Sequence, residues 1–207
     1  MKALLFIGLQ VDLLPLGAAE IPESEKVIPV INRLLPHFGH LAAANFSLPA
    51  NHKMFVANYP WRRPGQVLDL MGEKILLKHY FCIKGSFGAE HPMNLNQEKI
   101  HFTALMGTDH QCLPHSAFFG KNKKRDTGLN AHFQKNKIKK LYLAGLNESN
   151  ALVNTAADAI EMGYQTAIIE DATKGPDQQN LGEALIKLKK MGADILSSED
   201  VLAELKK

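Results

Sequence analysis

"LAGLNESNALVNTAADAIEMGYQTAIIEDATKG", residues Leu143–Gly175, decides the fold. It opens on a short apolar run, breaks after Gly145, resumes with apolar residues recurring every three or four positions, stops at Gly163 and closes on a second apolar run, "QTAIIEDA". Short continuous apolar runs suit strands covered on both faces. The three-and-four recurrence suits a helix with one apolar stripe, and a glycine just past it suits a helix stop. Two strands joined through a helix lie parallel. The loop "GLNESNAL", Gly145–Leu152, therefore falls where a strand ends and a helix begins, the place where α/β proteins hold ligands and reactive groups. Its residues before the helix are Asn147, Glu148, Ser149, Asn150 and Ala151.

The same alternation extends in both directions. Upstream lie the apolar run "ALLFIGL", a helical stripe through Val27, Ile28, Ile31, Leu34, Leu35 and Phe38, and the runs "HLAAANF" and "FTALMG". "TGLNAHFQKN" reads as a helix and "IKKLYLAG" as a strand; downstream, "QNLGEALIKLKKMG" is a helix, "ADILSS" a strand and "EDVLAELKK" a closing helix. Asn45 to Gly65 is irregular, and no element is assigned from there to the strand at Phe102. Strand–helix alternation over the whole length predicts the α/β class: a doubly wound, Rossmann-like parallel sheet flanked by helices. The 207 residues suit a single domain spanning 1–207.

Twenty-four Lys and Arg against 21 Asp and Glu leave a formal charge of +3, too small to predict a nucleic-acid partner. The densest basic run, "GKNKKR" at Gly120–Arg125, reads as a solvated loop, a polyanion patch being the alternative. No apolar stretch is long enough to span a membrane, so a cytoplasmic protein without membrane association is expected. Cys82 and Cys112 form no CxxC pair and fit a reducing compartment. The chain holds no GxGxxG after its first strand, no GxxxxGK[ST], no GxSxG and no HExxH.

Five stretches in order resemble the nicotinamidase/pyrazinamidase, isochorismatase-like (cysteine hydrolase) family. "IGLQVDLLPLGAAEIP" follows its first motif through Gln10, Asp12, Pro15, Gly17, Ala18 and Pro22. "ANFSLPANHKMF" keeps Pro49, Asn51, His52 and Phe55, and "CIKGSFGAEHP" echoes a third motif with His91 shifted by one residue. "MGTDHQCLPHSAFFG" matches at Gly107, Thr108, Asp109, Ser116, Ala117 and Phe118; the opening segment matches at Gly145, Leu146, Thr155, Ala156, Asp158 and Ala159. The resemblance implies the isochorismatase-like hydrolase fold, and an oligomer: either a homo-oligomer or a pairing with a homologue.

The family's chemistry rests on a Cys–Asp–Lys triad in which a thiolate at a helix N-terminus attacks an amide carbonyl. The resemblance places Ala151 at the Cys position, Gly8 at the Asp position and Met106 at the Lys position. The family's nicotinamidases also hold a divalent ion with an Asp and His residues. Those positions fall on Phe46, Leu48 and Phe81, leaving His52 as the only remnant, and one imidazole makes no metal site. No metal or other cofactor is expected. The pocket is expected to be formed by Asp12, Phe46, Leu48, His52, Phe81, Asn147 and Glu148. The implied function is a catalytically inactive pseudoenzyme that binds a small apolar or aromatic ligand or serves as a scaffold. The alternative is an active nicotinamidase-like amidohydrolase, converting nicotinamide or pyrazinamide to the acid and ammonia with substituted residues. Cys112, with His115, is then the candidate nucleophile. The loop at Leu146–Asn147 is expected to carry a cis peptide, and its amides to form an oxyanion-like nest.

Overall fold

The computed structural model describes residues 1–96 and 99–206. Strands β1 (Lys2–Ile7), β2 (Leu41–Phe46), β5 (Phe102–Met106), β6 (Lys140–Leu146), β7 (Gln165–Lys174) and β8 (Asp194–Leu196) form one sheet in the order β5-β2-β1-β6-β7-β8. Every pairing in it is parallel. Residues of β1 beyond Lys2 and all of β2 are buried, which explains their unbroken apolar runs.

Helices α1 (Val27–Leu34), α2 (Leu129–Lys135), α3 (Ala151–Glu161), α4 (Gln178–Lys190) and α5 (Ser198–Leu205) complete the fold. α1 packs with α5, and α3 with α4. Strand order runs one way from β1 to β2 and the other way from β6 to β8, so right-handed crossovers put those two helix pairs on opposite faces. The order reverses between β1 and β6, and the crevice beyond their carboxyl ends is the fold's natural ligand position. α4 and α5 start as their sequences direct: Asp177 Oδ1 accepts from the Asn180 amide, and Ser197 and Asp200 form a reciprocal capping box.

Three details differ from the sequence reading. The long stripe at Val27–Phe38 is α-helical only to Leu34 and finishes as a 3₁₀ turn around Pro36. β7 runs to Lys174, with its register against β6 shifted between Leu143 and Gly145. An antiparallel hairpin, β3 (Val67–Leu70) and β4 (Glu73–Leu76), stands apart from the main sheet. Its two-residue turn, Met71–Gly72, has φ of 53° and 85°, the left-handed pair that matches strand twist. Methionine in the first turn position hides that signal, because Asn and Asp usually mark it.

Candidate functional site

The expected positions lie at the carboxyl-end edge of the sheet, where β5, β2, β1 and β6 finish. Met106 closes β5 opposite Phe46 at the end of β2. Gly8 follows β1 and donates its amide to Ala44 O at 2.8 Å. Ala151 opens α3 one loop beyond β6. Gly8 has φ of 66°, and a Cβ there would lie 3.2 Å from Leu146 O and 3.3 Å from Leu13 Cδ1. A side chain at this position is both strained and crowded. Met106 and Ala151 are buried, so hydrogen, thioether and methyl stand at these positions out of contact with water.

The floor is filled with aromatic side chains. Phe46 meets Phe81 edge-on with centroids 5.6 Å apart, Phe81 meets Phe55 at 6.0 Å, and Phe55 meets the His52 ring at 5.9 Å. Phe46, Leu48, His52, Phe55 and Phe81 are all at most 1% exposed. The Met54 amide donates to His52 Nδ1 at 3.2 Å, which leaves the proton on Nε2 to reach Cys112 O at 3.2 Å. Burial lowers the pKa of this imidazole, and its hydrogen bond to Cys112 O only partly opposes that. Among the described residues no three His, Cys, Asp or Glu side chains converge as metal ligands. Phe46, Leu48 and Phe81 offer no donor and both His52 nitrogens are engaged, so this donor set does not fit the divalent ion that the fold family implies.

The surviving motif residues hold loops in place. Gln10, fully buried, accepts from the Phe46 amide at 2.7 Å and donates to Phe46 O and Ala89 O at 2.8 Å each. Asp12 Oδ2 accepts from the Cys82 amide at 2.6 Å. A Cβ on Gly88 would lie 2.2 Å from that carboxylate, so this glycine makes room for Asp12. Burial, with Asp12 and Glu148 adding negative charge, pushes the Cys82 thiol far up, the opposite of a nucleophile's requirement.

The loop Asn147–Asn150 is the most informative part of the site. Asn147 Oδ1 accepts from the amides of Leu152 and Val153, both at 3.1 Å. Those are free donors of the first turn of α3, the groups an oxyanion would need. Two amides at the head of α3 are thus taken by the protein's own side chain. The loop turns through positive φ at Ser149 (51°) and Asn150 (60°), and no cis peptide occurs among the described residues, contrary to the expectation at Leu146–Asn147. Glu148 is buried and forms an ion pair with Lys78, which also donates to Ser149 Oγ at 3.0 Å and lies 5.7 Å from the Phe81 ring centroid.

Cys112 and His115 do not form a pair. The Cys112 thiol contacts Leu113 O and Lys121 O at 3.7 and 4.0 Å. The His115 ring turns instead to Asn154 at 3.3 Å and towards Asp158 at 3.8 Å. His115, Asn154, Lys78, Ser149 and Asn150 line a cavity of about 360 Å³ over an apolar side that includes Met54 and Leu113. Sequence reasoning overlooked Lys78 and Asn154 there. Lys78 belongs to the unassigned segment, and the partner that gives it meaning, Glu148, is 70 residues away.

An isochorismatase domain family model matches residues 113–200. The nicotinamidase of Escherichia coli (strain K12) is 29% identical, with 96% of each chain covered. The nicotinamidase of Acinetobacter baylyi is 25% identical over 97% of this chain and 94% of its own length. Among solved structures, the Acinetobacter baumanii nicotinamidase/pyrazinamidase superposes with a TM-score of 0.90 at 27% identity, covering 97% of both chains. No helix among the described residues is long and apolar enough to cross a membrane.

Proposed function

We propose that this homologue of the isochorismatase-family nicotinamidases and pyrazinamidases does not hydrolyse amides, and acts by binding a small ligand beside the former reaction centre. The observation that carries this reading is the state of the α3 N-terminus: Ala151 supplies a methyl, and Asn147 Oδ1 takes the Leu152 and Val153 amides. Attack on a carbonyl needs a nucleophile, and Ala151 offers none at a helix head whose next two amides are already taken by Asn147. Gly8 and Met106 supply no base and no cation beside it. The aromatic floor excludes an apolar ligand from the original crevice, because Phe46, Phe55 and Phe81 fill it. The cavity over Ser149 and Asn150 remains for a small molecule with an aromatic or apolar body and one or two polar groups, framed by His115, Asn154 and Lys78.

Ammonia release from nicotinamide and from pyrazinamide tests the first half of the proposal. No turnover above the buffer rate is expected, and Ala151→Cys alone restores none, because Gly8 and Met106 leave the thiol without its base and cation. Turnover above roughly 1 s⁻¹ in the unaltered protein, abolished by Cys112→Ser, would establish the amidohydrolase reading instead. Small-molecule screening by ligand-observed NMR tests the second half, with Asn154→Leu expected to remove the hits.

A further inference from the structure

A cavity of about 580 Å³ lies between the β3–β4 hairpin and the segments around Cys112 and Lys121. One wall is the tip of the β3–β4 hairpin, carrying Met71, Glu73 and Lys74; the other is the basic run of the sequence, carrying Lys121 and Lys124; Lys53 lines it as well. Glu73 is its single carboxylate. Glu73 Oε2 accepts from Lys53 Nζ at 2.5 Å, and Oε1 lies 3.2 Å from Lys121 Nζ. Among the described residues Lys74 and Lys124 have no ion-pair partner, so four lysines and one carboxylate line the cavity, a formal net charge of +3.

This charge is gathered from three segments of the chain and held there. Lys53 has a side chain only 12% exposed, so the Glu73 bridge fixes it at the cavity wall. The hairpin turn is pinned by the Gly72 amide on Asp69 Oδ1 at 2.8 Å. The opposite loop is closed by the Gly120 amide on Lys124 O at 2.6 Å, and passes through positive φ at Asn122 and Lys123. A solvated charged face needs neither a concavity nor a shared carboxylate to order its lysines.

We propose that this cavity is a binding site for a small molecule carrying a diphosphate or triphosphate group. The volume suits a ligand of nucleotide size. A net +3 matches a multiply charged anion and exceeds what a monocarboxylate balances. The cations are all lysines, point charges that suit phosphoryl oxygens without the planar bidentate geometry that arginine brings to carboxylates. Met71, fully exposed on the rim, offers an apolar contact for whatever body the phosphates carry. The triad positions Gly8, Met106 and Ala151 do not line this cavity, whereas Cys112, the nucleophile of the amidohydrolase alternative, does.

Calorimetric titration of the full chain with inorganic pyrophosphate and, separately, with ADP tests this. Saturable one-site binding to pyrophosphate is expected, weakening steeply as salt rises. The Lys74→Ala/Lys124→Ala double variant should lose at least ~10-fold in affinity, while Lys187→Ala/Lys189→Ala on α4 loses none. Tighter binding of ADP than of pyrophosphate, reduced to the pyrophosphate value by Met71→Ser, would add the rim contact to the phosphate contacts. Absence of heat with both probes at low salt would overturn the proposal. So would equal affinity for citrate, equal losses in both lysine pairs, or binding of a single-stranded RNA that leaves pyrophosphate inert.

Discussion

Asn147 shows how one side chain changes what a helix terminus can do. The first amides of α3 carry no intrahelical partner, and their partial positive charge makes them a ready anion site. Asn147 Oδ1 takes two of them from inside the loop, so the terminus becomes a structural cap. Asn147→Ala should destabilise the protein by about 1–2 kcal/mol, the range of lost N-caps, read as a lower urea midpoint with an unchanged slope. A loss within experimental error would mean that the cap contributes nothing. Position 147 follows directly from the sequence as a site residue, but its role does not. An Asn three residues before a helix N-cap carries no capping signature; only the turn through Ser149 and Asn150 folds it back onto the amides.

At the scale of elements, the loop leading into α3 and the segment after β4 are tied together by charge. Glu148 and Lys78 pair with side chains 6% and 22% exposed, so the pair is mostly removed from water. Removing one member of such a pair leaves an uncompensated charge, and Glu148→Gln should cost about 2–3 kcal/mol. Replacing both, with Lys78→Met and Glu148→Gln, should recover much of that loss. A double-mutant cycle by chemical denaturation should return a coupling above about 1 kcal/mol; a value near zero would make the contact incidental. The hairpin β3–β4 belongs to the same scale. Its alternation of apolar and polar residues is short and its turn opens on methionine, so period and turn chemistry were both too weak to announce it.

Across the whole molecule, buried and half-buried imidazoles link stability to pH. His40, His52, His91 and His132 all have lowered pKa values, with burial as the largest cause in each. His40 and His132 meet through their Nε2 atoms at 2.9 Å, and His40 stacks on His101 at 4.7 Å. His101 and Lys135 add positive charge, which further disfavours protonation there. These groups are neutral in the folded chain, whereas the unfolded chain takes up protons below about pH 6.5. The unfolded state then binds more protons, so stability falls as pH drops through that value and towards the lower folded ones. Thermal unfolding should show a Tm that declines from pH 7 to pH 5, with a shallower decline in His132→Gln. A flat profile would remove the imidazoles from the stability balance.

The α/β class, the strand–helix order and the sheet's parallel sense were legible from residue order, because run length and period report burial on one face or both. The resemblance brought Gly8, Met106 and Ala151 to notice, and the tertiary structure puts them at the carboxyl ends of β5 and β1 and at the start of α3. It also decided what residue order cannot express. Phe46, Phe55 and Phe81 close the floor, Asn147 caps α3, Lys78 finds Glu148, and lysines from separate segments share one cavity. The physical reason is common to all of them. Period and turn chemistry act between near neighbours in the chain, whereas packing, capping and charge balance act between groups that only the completed fold brings within a few ångströms.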